Sequence, residues 1–145
     1  MNNQNEILLE VKNLKKYFPI TAGFFNKVEG YVKAVDNLTF SIKKGEVFGL
    51  VGESGCGKST TARSILRALD PTAGEVNFIN SKTQKKSNLA AMNKKELRDI
   101  RKYIQTVFQD PYSSLNPRMT IKEIISEPVL INNLAAKSEF DSIVA

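Results

Sequence analysis

The apolar positions of this 145-residue chain change their spacing as one reads along it. Residues 6–12 are mostly apolar and β-tolerant, which predicts a strand closed by Lys15, Lys16, two aromatics and Pro19. Residues 20–30 read as a loop, and 31–35 as a short strand. From 37 to 43 the pattern alternates with period two. Leu38, Phe40 and Ile42 fall on one face, and Thr39, Ser41 and Lys43 on the other. Lys44-Gly45 is a tight turn, and the apolar run 47–51 predicts a buried strand. A helix follows over 58–69, with Ile65, Leu66 and Leu69 as its core stripe. Asp70 to Gly74 is a stop signal, and 75–80 is another strand. The polar stretch 81–92 reads as a surface excursion. Asn93 and Glu96 have capping-box spacing and open a helix to about 102. Residues 103–108 read as a strand. Thr120 and Glu123 form a second capping box, opening a helix that Pro128 interrupts, with a helical run resuming through 134.

The strand, glycine-rich turn and helix at 46–60 (EVFGLVGESGCGKST) carry the chemistry. Gly52, Gly57, Lys58 and Ser59 fill every fixed position of G-x-x-x-x-G-K-[ST], in the strand-then-helix context the motif requires. Backbone N–H groups must converge on phosphate oxygens, so side chains are absent where the approach is closest: Gly52, Gly55 and Gly57. The helix start adds free N–H groups and a positive dipole end. Lys58 supplies a mobile charge for the β- and γ-phosphates, and Ser59 a hydroxyl for Mg²⁺. Glu53, Ser54, Cys56 and Thr60 complete the loop. Cys56 has no base to make it a nucleophile, so no covalent role is expected.

Composition narrows the picture. Apolar content of 41% fits a globular domain, and no run reaches the length of a membrane span. The N-terminus lacks the pattern of a secretory signal, and the single cysteine excludes an internal disulfide and suits the cytoplasm. The chain has no histidine, which removes that residue as base, metal ligand or phosphate sensor. The net charge of +6 admits a nucleic-acid surface, with Lys94, Lys95, Arg98, Arg101 and Lys102 on one helix. No aromatic platform is interleaved with these charges, so a solvated face is the expected reading and no nucleic acid is expected as partner.

Three stretches together resemble the ATP-binding cassette (ABC) proteins: the phosphate loop, the apolar run closed by Gln109, which looks like the family's Q-loop, and the aromatic pair Tyr17 and Phe18. The run FQDPYSSLNPRMT from Phe108 to Thr120, with LKKYFP from Leu14 to Pro19, is similar to the ATPase subunits of dipeptide/oligopeptide importers. The resemblance implies an α/β P-loop NTPase fold of ABC ATPase type, with an antiparallel β subdomain and a parallel-sheet core. Residues 1–45 would be the antiparallel region, 46–109 the core from P-loop to Q-loop, and 110–145 the start of a helical subdomain.

It also implies ATP and Mg²⁺ as cofactors. Lys58 and Gln109 would serve catalysis, Ser59 and Gln109 the metal, and Phe18 in the family's register, or Tyr17, the adenine. Transmembrane permease subunits and a second ATPase subunit are the implied partners, at the cytoplasmic face of the membrane. No apolar run ending in Asp-Glu, no Leu-Ser-Gly-Gly-Gln signature and no switch histidine are found. The fold is therefore expected to be truncated before the signature and Walker B segments, and ATP turnover by this chain is left open. The alternatives are a catalytically incomplete nucleotide-binding fragment, an ABC ATPase for another solute such as nickel, or another P-loop enzyme such as a kinase or GTPase. The last lacks support, since the guanine-reading Asn-Lys-x-Asp is absent.

Overall fold

The computed structural model describes residues 6–23, 27–81, 83–107, 110, 114–132, 134–135 and 139–140. The chain packs as two compact units, Met1–Ile100 and Arg101–Ala145. The first is built on an antiparallel sheet of four strands: β1 (Ile7–Ala22), β2 (Lys27–Lys43), β3 (Ala73–Ile79) and β4 (Lys86–Asn88), in the order β2-β1-β3-β4. Helix α1 (Lys58–Ile65) and helix α2 (Lys94–Arg101) complete it. Its core is Val11, Leu14, Val35, Val76, Phe78, Leu89 and Leu97.

β1 does not end at Lys15–Pro19 as expected; it continues to Ala22 as a two-stranded ribbon with β2. Pairing with β3 stops at Lys15, opposite Ala73, so the edge beyond carries no ladder that Pro19 could break. Ile20, Thr21 and Val28 are strand formers, and they extend the ribbon into what read as a loop. Residues 24–26 lie outside the described ones. Asn13, at φ 49°, makes a bulge in β1, and Gly74 fits against it. Any Cβ on Gly74 would lie 2.5 Å from the Asn13 carbonyl oxygen.

Two expected strands do not form. Residues 46–53 carry no ladder, and Val47 and Val51 are 98% and 93% exposed. An apolar run becomes a strand only when the backbone of another strand pairs with it, and none does among the described residues. The parallel pairing of the expected core is therefore not seen here; Phe48 instead stacks on Phe40 of β2 at 4.7 Å. Residues 105–107 are likewise without strand structure.

The helix after the loop is shorter than expected. Arg67 takes φ 54° and ends it, so Leu69 falls outside. Its buried face is Thr61 and Ser64, while Ile65, Leu66 and Leu69 are only half-buried. Nor is 81–92 wholly a surface excursion, because Ser87 and Leu89 are buried. The capping box of α2 forms: Asn93 Oδ1 accepts from the Glu96 N–H at 3.0 Å, and Glu96 Oε2 accepts from the Asn93 N–H at 2.9 Å.

In the second unit, α3 (Ile121–Ile131) starts with the other expected capping box. Glu123 Oε2 accepts from the Thr120 N–H at 2.7 Å, and Thr120 Oγ1 accepts from the Glu123 N–H at 3.3 Å. The Thr120 N–H, and after it the Thr120 hydroxyl donating to the same oxygen at 2.9 Å, hold the Glu123 carboxyl below its ordinary 4.5. Pro128 lies inside α3 without interrupting it. Proline removes one N–H donor per chain position, and the helix re-forms bonds beyond it: Asn132 N–H donates to the Pro128 carbonyl at 3.1 Å. Among the described residues, no helix is long and apolar enough to cross a membrane.

Candidate phosphate-binding site

The loop before α1 is held from two sides. Gly57 is the N-cap of α1 at φ 96°, a conformation that L side chains rarely adopt. Its α-carbon is pressed against β2, so that a Cβ there would stand 2.2 Å from the Ala34 carbonyl oxygen. Having no side chain, Gly57 cannot cap α1, and no acidic residue occupies the first turn. The first N–H groups of the helix and its positive dipole end are left for an anion. A Cβ on Gly55 would meet nothing within 4 Å, so that side of the loop is open.

Lys58 bends back over the loop. Its Nζ donates to the carbonyls of Gly52 at 2.7 Å and Glu53 at 2.5 Å, and lies 3.5 Å from Cys56 Sγ. The ammonium is thus parked on neutral carbonyls, which a phosphate oxygen would outcompete through charge-assisted bonding. Beside it is a cleft of about 230 Å³ lined by Ala34, Asp36, Leu50, Cys56, Lys58 and Thr61 among others. Glu53, Ser54, Gly55 and Ser59 are exposed around this loop, and Thr60 is half-buried. These residues fit a polyphosphate: a glycine cradle, uncapped amides and one mobile cation. Among the described residues, no group of three or more Cys, Asp or Glu is placed to hold a metal by itself.

The two aromatics are separated by the strand. Successive residues of β1 point to opposite faces, so only one can face this cleft. Tyr17 reaches its wall, its hydroxyl donating to Asp36 Oδ1 at 2.5 Å. That bond raises the Tyr17 hydroxyl above its ordinary 10.0 and, with Lys33 next in weight among the charges, lowers the Asp36 carboxyl below 3.8. Phe18 instead lies under the Lys16 ammonium at 4.9 Å. Gln109 lies outside the described residues. Asp36 and Ala34 carry no spacing signal in the sequence, and Leu38 is marked there only as one face of a strand.

A family profile described as ABC transporter matches residues 35–145. The chain belongs to the ABC transporter family. Its fold is that of the ABC ATPases. A solved ATP-binding cassette, MJ0796, in a dimeric post-hydrolysis state bound to ADP and Pi, superposes with a TM-score of 0.72 at 26% identity, covering 94% of this chain and 54% of that one. The oligopeptide transport ATP-binding protein AppF of Bacillus subtilis (strain 168) is 50% identical over 134 residues, which is 92% of this chain and 39% of that protein. The oligopeptide transport ATP-binding protein OppF of the same organism is 49% identical over 130 residues, 90% of this chain and 39% of its own length. The glutathione import ATP-binding protein GsiA of Pectobacterium atrosepticum is 40% identical over 140 residues, 97% of this chain and 22% of that protein. This cassette sequence thus spans about two fifths of the length of the oligopeptide relatives it matches.

Proposed function

We propose that the chain binds MgATP as the phosphate-holding part of the ATP-binding subunit of a peptide importer. One observation carries the binding claim: Lys58 rests on the carbonyls of a glycine loop whose following helix has an uncapped N-terminus. The loop 52–60 takes the phosphates, with Lys58 moving from the carbonyls onto their outer oxygens. Ser59 would hold Mg²⁺ through its hydroxyl, and the metal would supply neutralisation of phosphate charge. Gln109 is assigned to the same metal or to the attacking water, by the family's pattern. Phe18, by the family's register, is the aromatic we place against the base, with Tyr17 as the alternative; both lie on β1.

Peptide as cargo is supported by the oligopeptide relatives and by the run from Phe108 to Thr120. In this reading the chain works with permease subunits and a second ATPase subunit at the cytoplasmic face. The groove on α3, about 610 Å³ and lined by Met119, Ser126, Leu130 and Phe140 among others, is the surface we assign to the permease. Residues 1–45, 46–109 and 110–145 remain the proposed division into β region, nucleotide core and helical subdomain.

Calorimetric titration with MgATP, run beside a phosphate-release assay, tests the binding and turnover claims separately. Binding that Lys58→Ala weakens at least ten-fold is expected. Equal affinity in that variant would overturn the site.

A further inference from the structure

Glu123, Ser126, Glu127 and Leu130 recur along α3 at spacings of three and four, so they share one face of the helix. With Met119 and Phe140 they line the groove of about 610 Å³. Ser126 is 6% exposed, and its Oγ meets no hydrogen-bond partner among the described residues. A hydroxyl kept from water and left unpaired lowers stability, so its presence calls for a partner outside the fold. The groove also has a charge of its own. Two carboxylates, Glu123 and Glu127, stand against one ammonium, Lys122, on a chain whose net charge is +6. The Thr120 N–H and hydroxyl hold the Glu123 carboxylate in place. Like charges four residues apart on a helix repel, and a cation brought by a partner relieves them.

We propose that this groove takes a basic amphipathic helix from a cytoplasmic loop of the permease, with Ser126 and Glu127 as the residues that select it. The apolar face of that helix lies against Met119, Leu130 and Phe140. One of its carbonyl oxygens accepts from the Ser126 hydroxyl, and a Lys or Arg at its edge meets Glu127. This rests on the assignment of the groove to the permease made above. Cytoplasmic loops of membrane proteins carry an excess of Lys and Arg, the charge that this acidic rim complements. An apolar helix face laid into an apolar groove is a recurring mode of recognition, and it leaves register to the few polar contacts. Ser126 supplies one of them, since a turn about its Cα–Cβ bond brings the hydroxyl from the groove wall to the occupant.

The test measures binding of the full chain to the permease subunits of its own importer, held in nanodiscs, at low and high salt. Thermal melting of the free chain is followed beside it. Ser126→Ala is expected to weaken binding about three- to ten-fold, the worth of one hydrogen bond. The free variant melts no lower than the unaltered chain, because the hydroxyl has no bond there to lose. Glu127→Gln is expected to slow association and weaken binding about two- to five-fold at low salt, with the difference fading at high salt. Leu130→Asp, which puts a carboxylate on the groove wall, is expected to abolish binding. Unchanged binding in either Ser126→Ala or Glu127→Gln while Leu130→Asp abolishes it would overturn the proposal, and the groove would still belong to the permease. A lower melting temperature in free Ser126→Ala would also overturn it, since the hydroxyl would then serve the fold. If Leu130→Asp binds unchanged, the assignment of the groove fails and this inference with it.

Discussion

Gly57→Ala isolates the geometry of the phosphate loop. Two costs follow from the structure. An alanine at φ 96° carries a left-handed backbone penalty of about 1–2 kcal/mol. Its Cβ would also stand 2.2 Å from the Ala34 carbonyl oxygen, where real Cβ contacts stay above 3.0 Å. That neighbour is backbone in a paired strand and cannot swing away. The loop has no ladder of its own, so the loop is what moves. It leaves β2, and the α1 amides and Lys58 leave the positions from which we propose they hold phosphate. Misplacement of this order costs about 2–3 kcal/mol of ligand binding, a 30- to 150-fold rise in the Kd for MgATP. Circular dichroism should show the sheet intact.

Gly74→Ala is the matched control. It has φ 98° and a similar clash, with the Asn13 carbonyl oxygen at 2.5 Å, but it lies within β3 where that strand pairs with β1. There the strain cannot be shed by a loop, and thermal stability falls by about 2 kcal/mol or more. Unchanged ATP affinity in Gly57→Ala would refute the packing of this loop on β2.

Two further outcomes are expected. Cys56 is exposed and its sulfur lines the Lys58 cleft, so complete alkylation with iodoacetamide should abolish ATP binding sterically; full binding by a fully modified sample, checked by mass spectrometry, would place the loop elsewhere. Glu123 has a lowered pKa in the folded chain, so its capping contribution is complete above 4.5 and is lost as pH falls below 4.5 through the folded value; amide exchange at the start of α3 should quicken over that window, and Glu123→Gln, which keeps an acceptor but does not titrate, should remove the pH dependence.

What the sequence makes legible here is what short-range physics decides. Both capping boxes depend on contacts three residues apart, and both form as read from Asn93, Glu96, Thr120 and Glu123. The phosphate loop is similarly local, since its glycines and Lys58 act within one turn. The expected strand at 47–51 does not form because an apolar run states only that it wants burial, and a strand needs a pairing neighbour that the run itself cannot name. The β1–β2 ribbon runs past its expected end because Pro19, a stop by its residue type, has no β3 partner beyond Lys15 whose ladder it could break. Asp36 was invisible for a different reason. Its place beside Tyr17 comes from a register shift between two long strands, and nothing in the order of residues announces a shift.

The most direct measurement of the central claim is backbone amide exchange with and without MgATP. The account predicts slowed exchange at residues 55–60, where glycine amides and the first turn of α1 meet phosphate, and its loss in Lys58→Ala. Protection that appears elsewhere in the chain while 55–60 exchange unchanged would contradict it.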